Sequence, residues 1–333
     1  MNAIAVIGAG RIGKIHAANA AGNARLSLKY VVDPYGDAAG LARMHAAQSA
    51  DVEQVWADPE VAGVVIASST DTHLDYTLAA TRAGKHVFCE KPLDQDVDRA
   101  LGALKELEEV GPKVLLGFNR RFDPNFSSLR AQLSQGAVGA LETLHIISHD
   151  PVPPPPAYIK TSGGIFKDMS IHDFDMARWL LDEEIESVFA SASVLVDPEI
   201  GAAGDFDSAK IILRTVTGKL CVISNSRRSG YGYDQRIEAF GSRGLIRADN
   251  VLETTVESWT EPGAKKAPFE NFFLDRYADA YRIEMDHFAD MVEGKATPLA
   301  DQHDGVGALL LAQAAEQSAR TGSVVALGAG SDQ

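Results

Sequence analysis

Gly8-Ala9-Gly10-Arg11-Ile12-Gly13 constrains this chain more than any other stretch. It follows a short continuous apolar run, Ala3 to Ile7, and opens a helical stretch that continues through Ala21. A strand, a glycine-rich turn and a helix in that order place backbone N–H groups at a helix N-terminus, where a phosphate is stabilised. Gly8 permits the tight turn, Gly10 lets the backbone approach a pyrophosphate, and Gly13 lets the helix pack on the strand. The next apolar run, Leu26 to Val32, ends at Asp33, about twenty residues after Gly13, where a carboxylate is placed to accept from adenosine ribose hydroxyls. A 2′-phosphate would be repelled there, so NAD is expected rather than NADP. Without that strand, helix and acidic residue, a ligand-free glycine turn would be the better reading.

The strand-helix alternation then repeats. Val61 to Ala67 is an apolar run ending in Ser68-Ser69-Thr70-Asp71-Thr72-His73, and a helix is expected over Leu78 to Ala83. His86 to Cys89 reads as a strand leading into Glu90-Lys91-Pro92. Asp94 is a candidate cap for a helix carrying Val97, Leu101, Leu104 and Leu107, and Val114 to Phe118 is a further strand. Such alternation predicts a Rossmann-type, mostly parallel sheet with helices on both faces, and ligands gather at the carboxyl ends of its strands. It stops near Asn119-Arg120-Arg121, which sets an expected first domain over 1–120 and a second over 121–333.

The second half has another pattern. A helix is expected over Asn125 to Leu133 and a strand over Leu141 to Ser148, followed by the stiff connection Asp150 to Pro156. Alternating runs at Ser187–Val196, Phe206–Val216, Lys219–Arg227, Gln235–Gly241 and Val251–Trp259 predict a large, mostly antiparallel open sheet, making this an α+β domain. Helices are expected over Asp279 to Met291 and over 305–321. Two glycines at Gly163-Gly164 open a further helical run to Arg178, which would place Asp168 and His172 four residues apart on one face. A carboxylate beside an imidazole fixes its tautomer and raises its basicity, as a general base requires. The same spacing also serves surface contacts and caps.

Composition narrows the function. At 333 residues with a net charge of −15, the chain is unsuited to a sequence-independent hold on nucleic acid or an anionic membrane. No apolar run reaches the length of a membrane span, and the apolar N-terminus lacks the basic region of a signal peptide. Two cysteines, Cys89 and Cys221, make no disulfide framework and suit a reducing cytoplasm. His145 and His149 lack a third ligand nearby, so no metal site is expected. Lys91, between a strand end and a proline at the ligand edge of the sheet, is a candidate functional cation. Asn119 and Arg121 are candidates for substrate or nicotinamide contact, or for a domain hinge. Tyr231 and Tyr233 would line a pocket or pack on the sheet.

Three stretches together resemble the Gfo/Idh/MocA oxidoreductase family across nearly the whole chain: the Gly8–Gly13 loop, Glu90-Lys91-Pro92, and Gly163 to Asp173. Asp150 to Pro156, Met169 to Arg178 and Tyr231 to Arg236 are similar to its inositol branch. The resemblance implies NAD-dependent oxidation of a ring hydroxyl of myo-inositol to the 2-keto form (scyllo-inosose). It implies His172 as general base, Asp168 as its orienting partner, and Lys91 on the reacting oxygen. It implies cofactor contacts from Gly8, Gly10, Arg11, Ile12, Gly13, Asp33, Ser68, Ser69, Thr70, His73, Glu90 and Lys91. Substrate contacts would come from Lys91, Asn119, Arg121, His149, Asp168, His172 and Tyr233. It further implies a proline preceded by a cis peptide bond, a homotetramer built through the open sheet face, and a C-terminal helix that packs back on the first domain. The alternatives are a dehydrogenase of another inositol isomer or of an aldose and, in a different class, a dinucleotide-binding regulator without turnover.

Overall fold

A computed structural model describes residues 1–111 and 113–328, so the last five residues of the expected second domain lie outside the described residues. The chain forms two compact units, Met1–Asp123 with Asp279–Leu309, and Pro124–Ala278 with the residues from Leu310 onward.

The first unit is built on a six-stranded parallel sheet. Its strands are β1 (Asn2–Ile7), β2 (Leu26–Val32), β3 (Gln48–Ser49), β4 (Val61–Ile66), β5 (His86–Glu90) and β6 (Val114–Gly117), in the spatial order 3-2-1-4-5-6. Ile4 to Ile7 and Val64 to Ile66 are essentially inaccessible to solvent, as strands covered on both faces require. This order reverses at β1, so the loops after β1 and β4 share the edge where such sheets bind ligands. Helix Ala278–Val292 buries Tyr281, Met285 and Phe288 in this unit. A Cβ on Gly63 of β4 would lie 2.9 Å from the Phe288 ring, so the glycine lets that helix approach the sheet. The cap of helix Val97–Glu109 is Asp96, which accepts from the N–H groups of Asp98 and Arg99. Asp94, expected in that role, instead accepts from the Asp96 N–H and pairs with Arg99.

The second unit carries β7 (Leu141–His149), β8 (Ile185–Ser193), β9 (Ser208–Thr215), β10 (Leu220–Ser226), β11 (Asp234–Gly241), β12 (Gly244–Ala248), a separate hairpin of β13 (Glu257–Thr260) and β14 (Gly263–Lys266), and β15 (Val325–Ala326). Seven of them form one sheet in the order 12-11-7-10-9-8-15, antiparallel except for the β7–β10 pair. One face of this sheet buries Leu144, Ile146, Ile211, Leu213, Cys221, Ile223, Ile237 and Ala239. Helix Ser170–Leu181 lies on that face with Ile171, Phe174 and Ala177 inward.

Two expectations are corrected. The strand expected over Val251–Trp259 is largely loop. The sheet's edge strand is β12, which pairs with β11 across the Ser242-Arg243 turn because a two-residue connection leaves the strands no other register. The helical run from Gly163 is also broken. Gly163 (φ 83°) ends a helix over Pro156–Ser162, a short helix covers Gly164–Asp168, and Met169 (φ −99°, ψ −59°) separates it from Ser170–Leu181.

Candidate active site

In the first unit, a Cβ on Gly13 would sit 2.0 Å from the Gly8 carbonyl oxygen, and one on Gly8, at φ 109°, 2.2 Å from the Ala67 carbonyl. Only glycine fits at either place. Gly10 has open space where a side chain would be, and it caps helix Arg11–Gly22 with no side-chain hydrogen bond to the helix N–H groups. A bare, uncapped helix N-terminus is a cradle for a phosphate, so these residues fit a dinucleotide. At the end of β2, Asp33 Oδ2 accepts from the Ala9 N–H at 2.7 Å, and Oδ1 from the N–H groups of Tyr35 (2.8 Å) and Gly36 (2.7 Å). Burial pushes this carboxyl up, but the three N–H donors outweigh it and hold it below the usual carboxylate range. A fixed anion beside the glycine loop suits ribose hydroxyls.

Ser68, Ser69 and Thr70 form the turn after β4. Ser68 Oγ and Thr72 Oγ1 are 2.6 Å apart, and Thr72 Oγ1 donates to the Ser69 carbonyl. His73 is 2% exposed behind that turn. Glu90 Oε1 lies 2.7 Å from His16 Nε2, so of the Glu-Lys-Pro stretch the glutamate faces inward. The Lys91–Pro92 peptide is cis, and Lys91 is half-buried. Asn119 and Arg121 are buried. Arg121 donates to the Leu299 carbonyl and pairs with Asp304 at 2.8 Å, which ties the turn after β6 to the segment returning from residue 299.

In the second unit, His172 is half-buried on helix Ser170–Leu181. Its neighbour Asp173, fully buried, accepts from Ser148 Oγ (2.5 Å) on β7 and Asn225 Nδ2 (2.7 Å) on β10, while Ser170 donates to Asn225 Oδ1 (2.7 Å). These bonds fix the helix turn that carries His172 to two adjacent strands. Asp168 accepts from the Tyr158 hydroxyl at 2.9 Å and lies 3.5 Å from Arg227. Arg227 is 1% exposed, and its guanidinium also lies 3.5 Å from Asp205. The sequence reading missed Arg227 and Asp205. Their only signal was one arginine at a strand end and one aspartate in a loop. His149, at the end of β7, meets Ser224 Oγ at 3.0 Å, and burial pushes it below the ordinary imidazole range against the pull of nearby Asp234. Tyr233 is buried against Tyr277, whereas Tyr231 is exposed and donates to Asp234 at 2.7 Å. Among the described residues, no group of three or more His, Cys, Asp or Glu is placed to hold a metal ion.

Comparison with known proteins agrees with both halves. Residues 3–118 match the oxidoreductase family with an NAD-binding Rossmann fold, and residues 126–247 match the GFO/IDH/MocA C-terminal domain. The chain is 46% identical to the inositol 2-dehydrogenase of Rhizobium meliloti, over 94% of this chain and 95% of that one. It is 47% identical to the myo-inositol 2-dehydrogenase of Thermotoga maritima, over 95% of each. The structure of a scyllo-inositol dehydrogenase from Lactobacillus casei with bound NAD(H) and scyllo-inositol superposes with a TM-score of 0.91 at 26% identity, covering 98% of this chain and 99% of that one. Glycine cradle, fixed carboxylate at the end of β2, Glu-Lys-Pro turn and mixed sheet thus come together in one assignment: this chain is an oxidoreductase of the Gfo/Idh/MocA family and uses NAD.

Proposed function

We propose that the chain is an NAD-dependent inositol 2-dehydrogenase that oxidises the 2-hydroxyl of myo-inositol to the ketone. What carries this reading is identity of 46% and 47%, over nearly the full length, to two proteins that bear that activity in their names. Gly8, Gly10, Arg11, Ile12 and Gly13 would hold the pyrophosphate and Asp33 the adenosine ribose. Ser68, Ser69, Thr70 and Glu90 would bound the nicotinamide side. When bound, NAD⁺ supplies the hydride acceptor.

His172 takes the hydroxyl proton as general base. Its helix is held to β7 and β10 through Asp173, so the ring needs little reorganisation. Asp168 orients the base and stabilises the imidazolium formed, and Arg227 holds Asp168 in place. Lys91 donates a hydrogen bond to the reacting oxygen and stabilises the charge that develops on it. A positioned base of this kind contributes about 10²–10⁴ in rate. Asn119, Arg121, His149 and Tyr233 are the proposed outer polar groups for the remaining hydroxyls. A second reading, scyllo-inositol as substrate, is favoured by the likeness to the Lactobacillus casei protein bound to that isomer. The test replaces Lys91 by Met and His172 by Asn. Each should lose at least a hundred-fold in kcat while still binding NAD, and unchanged turnover in either would refute the assigned roles.

Assembly as a homotetramer belongs to the same proposal. Ile212, Leu220, Phe240 and Leu245 are all at least 40% exposed and share the face of the seven-stranded sheet opposite helix Ser170–Leu181. An apolar sheet face of that extent favours burial against another subunit. A cytoplasmic location is supported by two buried free cysteines, Cys89 and Cys221.

A further inference from the structure

We propose that His73 is carried as an imidazolium whose two N–H groups clamp the turn after β4 to the peptide after Lys91, and that this clamp positions Lys91 for the reaction. The inference rests on the reading above for the role of Lys91, and its own basis is geometric. His73 Nδ1 lies 2.8 Å from the Pro92 carbonyl oxygen and Nε2 3.3 Å from the Ser68 carbonyl oxygen. Both carbonyls are acceptors only, and the Cys89 sulfur is a third hydrogen-bonding neighbour of the ring. A neutral imidazole has one N–H, so one ring nitrogen would turn a lone pair toward a carbonyl lone pair in a site that is 2% exposed. The imidazolium satisfies both.

The charges around the ring agree. His73 begins helix His73–Arg82, where the helix dipole disfavours a cation. Burial disfavours it too. Against these stand Cys89 and Glu90 on β5 and the Pro92 carbonyl, which together lift the ring to about 9. Glu90 keeps its other partner, His16, on helix Arg11–Gly22. The acidic residue in the first turn of His73's own helix, Asp75, is occupied by Arg99 at the surface.

The clamp joins two places that matter to the proposed chemistry. Ser68 begins the turn on the nicotinamide side, and Pro92 follows the lysine across the cis peptide. Holding Ser68 and Pro92 to one rigid ring limits how far Lys91 can drift from its working position, and small misplacements of a catalytic group are costly in rate.

The test reads the ring first and the rate second. In protein labelled with ¹³C at histidine Cε1, the resonance missing from His73→Asn identifies His73. The inference expects an imidazolium shift that persists through pH 7 and titrates near 9. A neutral-ring shift at pH 7 would overturn it. His73→Asn keeps a donor near the Nδ1 position and His73→Gln one near Nε2, so each retains half of the clamp. Both should lower kcat ten-fold or more, by a larger factor than they change the KM for NAD. A kcat within two-fold of wild type in both variants would overturn the positioning role. If the variants fail to fold, the wild-type resonance, assigned by elimination against the other histidine substitutions, still decides the charge. Absence of polyol turnover by the wild type would refute the functional reading, a result separable from the state of the ring.

Discussion

Replacing Arg227 tests how the second unit holds its proposed acid–base pair. The guanidinium is 1% exposed and lies 3.5 Å from each of two carboxylates, Asp168 and Asp205, whose side chains are 16% and 11% exposed. Arg227→Met keeps much of the volume and removes the charge, leaving two largely buried anions without their cation. Removing one partner of a buried pair costs about 3–5 kcal/mol. Residual exposure of both carboxylates places this site near the lower end, about 3 kcal/mol. At about 2–4 °C per kcal/mol for a unit of this size, the melting temperature should fall by about 6–12 °C. Arg227→Met with Asp205→Asn should recover part of the stability but not the rate, since Asp168 has still lost its guanidinium neighbour. Scanning calorimetry and steady-state kinetics on the three proteins measure both. A melting temperature within about 1 °C of wild type, with kcat unchanged, would refute the reasoning.

Other positions give equally direct outcomes. Asp33→Ser removes an anion fixed by three backbone donors. Hydrogen bonds to charged groups are worth about 1.5–3 kcal/mol, so the KM for NAD should rise about ten- to a hundred-fold and the preference over NADP should narrow. An unchanged KM would exclude Asp33 from ribose binding. Glu284 is completely buried, neither carboxylate oxygen has a hydrogen-bond partner among the described residues, and burial together with nearby Glu90 pushes its carboxyl well above the usual range. A raised folded-state value means its stabilisation is full below the unfolded value of about 4.3 and is lost as pH rises through the folded one. Glu284→Gln mimics the protonated form. It should melt above wild type at pH 7–8, with the gap closing near pH 4, and a variant equally or less stable at pH 8 would show that Glu284 is ionised in the fold.

What could be read from the sequence was local and periodic. The glycine spacing, the apolar runs of β1, β2 and β4 and the acidic residue at position 33 each reflect a backbone constraint on consecutive residues, so the parallel sheet follows from them. The broken helix at Met169 was hidden because Asp168 and His172 keep a helical spacing. Left-handed backbone at Gly163 and Gly164, with Asp205 accepting from the Ile165 N–H forty residues along the chain, sets the start of the short helix Gly164–Asp168. The edge strand β12 was misplaced because Val251–Trp259 alternates more regularly than Gly244–Ala248, yet pairing is fixed by the short Ser242-Arg243 turn. Arg227 and the role of Asp173 depend on partners from separate strands, and Asn225 is one of the groups that secure the His172 helix. Such contacts leave no periodic trace. His73 stood beside the cofactor-side turn in sequence, but its burial and its two carbonyl partners emerge only once β4 and β5 lie side by side.

The most direct measurement is NADH formation from NAD⁺ with myo-, scyllo- and chiro-inositol and D-glucose at mildly alkaline pH. The account predicts turnover with a clear preference for myo-inositol, abolished in Lys91→Met and His172→Asn while NAD still binds. NAD binding without turnover on any of the four polyols would contradict it.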